Sequence, residues 1–224
     1  MTTVLTTTLL LIAKMPVAGR VKTRLCPPCT FDEAAAIASA ALDDTIATLR
    51  ATPCVDRFVA ALDGTPDARF EGWEVVPQRG RGLDERLAAA FEDTGGGAVV
   101  LVGMDTPQIG VEHCIRAFDR LRDHDAVIGL AADGGFWLVG FADPDASVFL
   151  GVPMSSDATG AEQLARLRER YERVAVIDTM RDVDSFDDAV VVAELVPASR
   201  FAIQVALVSD RVTGVTHEPL RAPT

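Results

Sequence analysis

Four cations stand within twelve residues near the start of the chain. They are Lys14, Arg20, Lys22 and Arg24, in the stretch KMPVAGRVKTRL over residues 14–25. No acidic residue precedes Asp32, although the chain carries 33 Asp and Glu and a net charge of −12. Lysine and arginine neutralise oxyanions, and free backbone N–H groups at a helix start can complete a cradle for them, so the stretch reads as a phosphate-holding loop. Neither GxxxxGK[ST] nor GxGxxG occurs, so the positive charge comes from side chains on an extended turn rather than from a glycine-rich nest. Lys14, the first of the four, can equally just end a strand.

Three acidic sites fall where turns follow apolar runs. Asp105, in VGMDTP, follows the run AVVLV and can hold Mg²⁺ (or Mn²⁺) beside phosphate oxygens, since hard cations take oxygen ligands. It could equally cap the next helix or close an Asx turn. In Asp182-Val183-Asp184 alternate residues of an extended segment can share a face, and a cation would relieve their repulsion; Asp184 is favoured as the ligand. A helix cap at Asp184 or Ser185 is the competing reading. Asp133-Gly134-Gly135 reads first as a tight turn and second as a place where backbone approaches a ligand. Ser155 and Ser156, with Asp157, either touch an acceptor or cap a helix.

Cysteine and histidine add little. Cys26-Pro27-Pro28-Cys29 has C-x-x-C spacing, but the second cysteine, not the first, abuts the helix start, and no further pair completes a zinc site. His113, His124 and His217 have no ligand spacing, and the first two are expected on a solvated helix surface.

These residues need elements to position them. Leu9–Ala13 reads as a buried strand within an apolar, threonine-rich run from Val4, and Thr30 with Glu33 is a capping box that opens a helix to about Arg50. Strands are expected at 57–62 and 73–76. A helix follows at 83–92, with Leu83, Leu87, Ala90 and Phe91 on one face. The continuous apolar run 98–102 predicts a central strand buried on both sides. A helix at 111–121, strands at 126–130 and 136–141, a helix at 158–171 and a strand at 174–177 complete the alternation. Residues 185–208 read as helical, broken at Pro197, and a tail from Asp210 lacks periodicity and is expected to be mobile. The fold class is α/β, a mainly parallel sheet with helices on both faces, in one domain over 1–209 with the tail 210–224.

Composition narrows the ligand. Half of the 224 residues are apolar, which excludes a disordered chain. A pI near 4.6 disfavours nucleic acid and anionic membranes as partners. The +4 of residues 1–31 against −16 for the rest suits a small phosphorylated ligand. No run is long enough for a membrane span, no signal-peptide pattern opens the chain, and four cysteines are too sparse for a disulfide scaffold; a cytoplasmic location is expected.

With these residues in view, the chain resembles a family of GT-A-fold transferases, the group of glycosyltransferase or radical-SAM/selenodomain-associated type. The resemblance rests on AKMPVAGRVKTRL, LDDTI, PQRGRGLDERLAAAF, LVGMDTPQI, ADGGFWLVG, SSDATGAEQLARL and DVDSFDDA, in that order over residues 9–195. The group is similar to small nucleotidyltransferases such as the 2-phospholactate guanylyltransferases. Two positions depart from the family pattern: Cys29 replaces an aliphatic residue and Met154 an aromatic one. The resemblance implies a GT-A (nucleotide-diphospho-sugar transferase-like) fold. It implies that Lys22 and Arg24 contact phosphates, that Asp105 and Asp184 bind Mg²⁺, and that the loop with Gln78, Gly80 and Gly82 lies near ribose or base. Asp133, Gly134 and Gly135 would line the acceptor side, and Ser155 and Ser156 are placed there too. The expected reaction is nucleotidyl transfer from an NTP to a small acceptor with pyrophosphate release. Glycosyl transfer from an NDP-sugar is the alternative, a nucleotide-binding protein without catalysis a third, and a thiol oxidoreductase using Cys26 a fourth.

Overall fold

A computed structural model describes residues 6–214. Seven strands form one sheet: β1 (Thr7–Lys14), β2 (Arg57–Asp63), β3 (Glu74–Pro77), β4 (Ala98–Gly103), β5 (Ala126–Ala131), β6 (Phe136–Phe141) and β7 (Val174–Met180). Their spatial order is β3-β2-β1-β4-β6-β5-β7. β6 alone runs antiparallel, pairing with β4 and β5. The reason is local: only residues 132–135 separate β5 from β6, and a parallel return would need a crossover of a dozen or more residues. β1 pairs in parallel with β2 on one side and β4 on the other, with Leu10 opposite Leu101. The chain order therefore reverses between β1 and β4, and the loops leaving their carboxyl ends open a crevice there, where open α/β sheets bind ligands.

Alternation along β1 sends its side chains to two cores. Leu9, Leu11 and Ala13 pack with Leu42, Ile46 and Leu49 of α1 (Phe31–Ala51) and with Cys114 and Ala117 of α3 (Val111–Arg120). Leu10 faces Leu87 and Phe91 of α2 (Leu83–Glu92), Phe141 and Phe149, and Leu167 of α4 (Thr159–Arg170). A third cluster joins α1 to α5 (Phe186–Leu195) and α6 (Arg200–Thr213) through Ile37, Val192, Phe201 and Val205. Leu25, from the cationic stretch, and Val183, from between the two aspartates, are both buried in that third cluster. Two apolar anchors thus bring the positive and negative segments to one place.

The helix α1 opens as its sequence dictates. Thr30 Oγ1 accepts the Glu33 N–H, and Glu33 in return accepts the Thr30 N–H at 2.7 Å. Three expectations need correction. Leu83 is 42% exposed rather than on the buried face of α2, because the first turn of a helix overhangs the core it enters. His113 is not a solvated surface residue: its Nδ1 accepts the Gly110 N–H at 2.8 Å, and its ring meets Trp137 edge-on. The tail does not begin at Asp210, since α6 continues to Thr213 and ends at Gly214 in the left-handed conformation that glycine adopts without strain. Residues 4–5 of the first apolar run, His217, and the tail from 215 lie outside the described residues. No helix among the described residues is long and apolar enough to cross a membrane.

Candidate functional site

The crevice at the β1/β4 switch holds a cavity of about 340 Å³. Its walls carry Lys14, Arg20, Lys22 and Arg24 together with Asp105 and Asp184. All four predicted cations and both predicted metal carboxylates therefore meet in one space. A larger hollow, about 410 Å³, lies between α1 and α6 and shares no residue with them.

Lys22 is the hinge of the arrangement. Its backbone is left-handed at φ 47°, and its ammonium donates to the Val183 carbonyl and lies 2.9 Å from Asp105 Oδ1. Its side chain is only 13% exposed. Arg24 is far more open and pairs with Asp184 at 2.6 Å. Lys14 ends β1 and meets Asp63, at the end of β2, at 3.4 Å. Arg20 projects from the turn, and its N–H donates to the Val17 carbonyl.

On the acidic side the competing cap reading holds at Ser185 and fails at Asp105 and Asp184. α3 does not start until Val111, with Gly110 at its cap, so Asp105 caps nothing; its carboxylate takes Lys22 instead. Ser185, not Asp184, caps α5, with Asp188 closing the box. The aspartates of the pair have different neighbours. Asp182 accepts from the buried Thr106 hydroxyl at 3.2 Å, and Val183 N–H donates to the Asp105 carbonyl. Burial, reinforced by the charges of Asp133 and Asp105, pushes the Asp182 carboxyl up to about 7, while Lys22 and Thr106 pull against that rise. Asp105, Asp133 and Asp182 thus form one electrostatic group, with Asp184 on its Arg24 flank.

None of the remaining predicted residues lines the cavity. Gln78 is fully engaged by protein: Nε2 donates to the Ala13 and Ala61 carbonyls, and Oε1 accepts from Arg86. Gly80, at φ +119°, packs against Glu85 and Arg86, and Gly82 caps α2. Asp133 closes an Asx turn onto the Gly135 N–H. A Cβ on Gly134 would strike the Asp157 backbone, so that glycine serves close approach of chain to chain. Ser156 does not cap α4, whose cap residue is Ala158; its hydroxyl accepts the Ala158 N–H in a local turn, whereas Ser155 sits in the left-handed region at φ 61°. Cys26 and Cys29 are free thiols. Burial, then the negative charge of Cys26 and Glu33, pushes Cys29 up to about 11; burial and Glu33 raise Cys26 too. That is opposite to what a thiol nucleophile needs.

Residues 38–156 match the family described as an uncharacterized protein conserved in bacteria, DUF2064. The chain belongs to the DUF2064 family. No curated protein matches the sequence. A solved structure from Desulfovibrio desulfuricans G20, named only provisionally as a nucleotide-diphospho-sugar transferase, has a TM-score of 0.82 and 25% identity, covering 95% of this chain and 99% of that one. A cytidylyltransferase from Leptospira borgpetersenii gives a TM-score of 0.54 at 12% identity, over 97% of this chain and 100% of the other. Glucosyl-3-phosphoglycerate synthase from Mycobacterium tuberculosis, solved with Mn²⁺, UDP and glucosyl-3-phosphoglycerate, gives 0.51 at 14% identity, over 96% and 82%. The last two likenesses show the fold alone. The fold of this DUF2064 chain is the GT-A-like fold of nucleotide-diphospho-sugar transferases.

Sequence reasoning passed over Asp63, Arg86 and Thr106, and ranked Asp182 second. Asp63 was within reach, since it ends a strand beside β1 as Asp105 follows one. Thr106 had no signal, because only the meeting of two distant loops gives its hydroxyl a partner. Among the described residues no three His, Cys, Asp or Glu side chains form a ready cation cage. The donor set still fits a hard divalent ion that takes part of its oxygen shell from a ligand, because Asp105 and Asp184 both open their carboxylates, each about half exposed, onto one cavity.

Proposed function

We propose that this protein transfers a nucleotidyl group from an NTP to a small acceptor, releasing pyrophosphate. The observation that carries the reading is the single cavity in which four cations face Asp105 and Asp184. Four positive side chains suit a triphosphate better than the diphosphate of an NDP-sugar. The similarity in fold to a cytidylyltransferase supports the same choice.

In this reading Lys22, fixed from two sides and little exposed, presents its charge to the phosphate chain. Arg20 and Arg24 reach the outer phosphates from more exposed positions, and Lys14 closes the β1 end. Asp105, with Asp182 or Asp184, holds Mg²⁺ or Mn²⁺, which supplies positive charge against the phosphate oxygens. Asp184 is favoured over Asp182 as the partner, because it lines the same cavity as Asp105. The turn at Asp133-Gly134-Gly135 and the exposed Ser155 face the acceptor. Little covalent chemistry is asked of the protein; positioning and preorganised charge do the work.

Glycosyl transfer is the second reading, supported by the provisional name of the Desulfovibrio protein. Incubation with NTPs or NDP-sugars, a divalent cation and small phosphorylated or hydroxylated acceptors separates the two. Pyrophosphate release is expected; NDP release would favour glycosyl transfer. Absence of nucleotide binding under all conditions would remove both and leave a non-catalytic role for the fold.

A further inference from the structure

Asp105 and Asp184 share a cavity although the strands that deliver them are not neighbours. β6 and β5 stand between β4 and β7 in the sheet, so at a strand spacing of about 4.8 Å the two carboxyl ends lie roughly 14 Å apart. Strand pairing therefore does not set how far Asp105 stands from Asp184. The segments that follow, 104–110 after β4 and 181–184 after β7, belong to no helix or strand, and yet they touch.

Three hydrogen bonds make the join. Gln108 Nε2 donates to the Arg181 carbonyl at 2.6 Å, the Thr106 hydroxyl donates to Asp182 Oδ1 at 3.2 Å, and the Val183 N–H donates to the Asp105 carbonyl at 3.2 Å. Only the third runs backbone to backbone; the other two depend on residue type. The Val183 carbonyl in turn accepts the Lys22 ammonium, so the joined segments also carry the least exposed cation of the cavity. Gln108 Oε1 is buried with no partner among the described residues. Turning the amide over would set that oxygen 2.6 Å from a carbonyl oxygen. A buried acceptor left unpaired opposes stability, so the donor end of Gln108 is what accounts for the side chain.

We propose that Gln108 and Thr106 are positioning residues that splint the two segments, acting through the Arg181 carbonyl and Asp182 to fix the separation of Asp105 from Asp184 and the aim of Lys22. Neither residue lines the cavity, and Thr106 is 1% exposed. The inference rests on the reading of the cavity as a site for polyphosphate and a divalent ion.

The splint is tested by binding rather than turnover. Thr106→Val keeps the shape of the side chain and removes its hydroxyl, Thr106→Ser keeps the hydroxyl, and Gln108→Met keeps the length and removes the donor. Thr45→Val is the control: Thr45 is equally buried, and its hydroxyl donates to the Ala41 carbonyl within α1, away from both segments. Mn²⁺ binding is followed by electron paramagnetic resonance with inorganic pyrophosphate present, alongside the melting temperature of each protein. Thr106→Val and Gln108→Met should each weaken Mn²⁺ binding about 10-fold, the smaller end of what removing a metal site's supporting hydrogen bonds costs. Thr106→Ser should stay within about 2-fold of wild type, and Thr45→Val should bind as wild type even where it melts lower. Because both residues act through one join, the double variant should lose less than the product of the two single losses. The splint is overturned if Gln108→Met or a folded Thr106→Val binds as wild type, if Thr106→Ser loses as much as Thr106→Val, or if Thr45→Val weakens binding equally. Gln108→Met decides alone should Thr106→Val fail to fold. Failure of wild type to bind Mn²⁺ and pyrophosphate is a separate outcome: it removes the reading of the cavity itself, and the splint's role with it.

Discussion

Lys22 occupies a left-handed backbone conformation that costs a non-glycine residue free energy, and it spends that cost on aim. The turn it makes directs its ammonium between Asp105 and the Val183 carbonyl, two groups more than eighty residues away in sequence. Lys22→Met keeps the length of the side chain and loses the charge; turnover should fall about 10²- to 10³-fold, with a melting temperature near that of wild type. The thiols supply a second residue-scale test. Cys29 and Cys114, both pushed up to about 11 by burial, stay protonated below that pH and should resist a thiolate-specific reagent at pH 8, whereas the exposed Cys54 should react readily. Cys26→Ser should leave activity intact. At this scale residue type was a good guide to the cavity, because clustered charge is written locally in the chain. Partner choice was not, because Asp182 and Asp184 differ only in which loop each one meets.

Elements hold these groups through apolar anchors rather than through the polar residues that touch ligand. Leu25 is fully buried against Ile37, Val183 and Val205, and it fastens the cationic turn to α1, α5 and α6. Leu25→Ala should cost about 2–5 kcal/mol of stability and, in the fraction still folded, weaken pyrophosphate binding, because Lys22 and Arg24 lose their footing. Chemical denaturation with a parallel calorimetric titration measures both. The strands and helices were largely legible from apolar periodicity: the run 98–102 is the buried central strand β4, and α2 spans 83–92 as its pattern says. Strand order was not legible, since adjacency of β1 and β4 depends on which helix covers which face. The edge-on contact of His113 with Trp137 depends likewise on tertiary packing.

For the whole molecule the decisive property is contrast: four cations at one crevice in a chain of net charge −12. The surrounding field repels long polyanions, so duplex DNA should not be retained at about 0.1 M salt, where exposed charges still act over about 10 Å. Surface carboxylates also shape acid stability. Asp125 is held below its ordinary value of 3.8 chiefly by the Arg173 N–H, and Asp145 chiefly by the Ser147 hydroxyl and then Arg170. A carboxyl depressed in the fold contributes stability above its unfolded value and loses it as pH falls through the folded one. Wild type should therefore melt above Asp125→Asn at neutral pH, and the gap should close below pH 3.8. The central claim is that the crevice holds a nucleotide polyphosphate with a divalent ion, and thermal shift with NTPs and Mn²⁺ tests it most directly. Wild type should rise in melting temperature with ligand concentration, as binding to the folded state requires, while Lys22→Met should rise far less. An unmoved wild type with every nucleotide, or a Lys22→Met response equal to wild type, would contradict it.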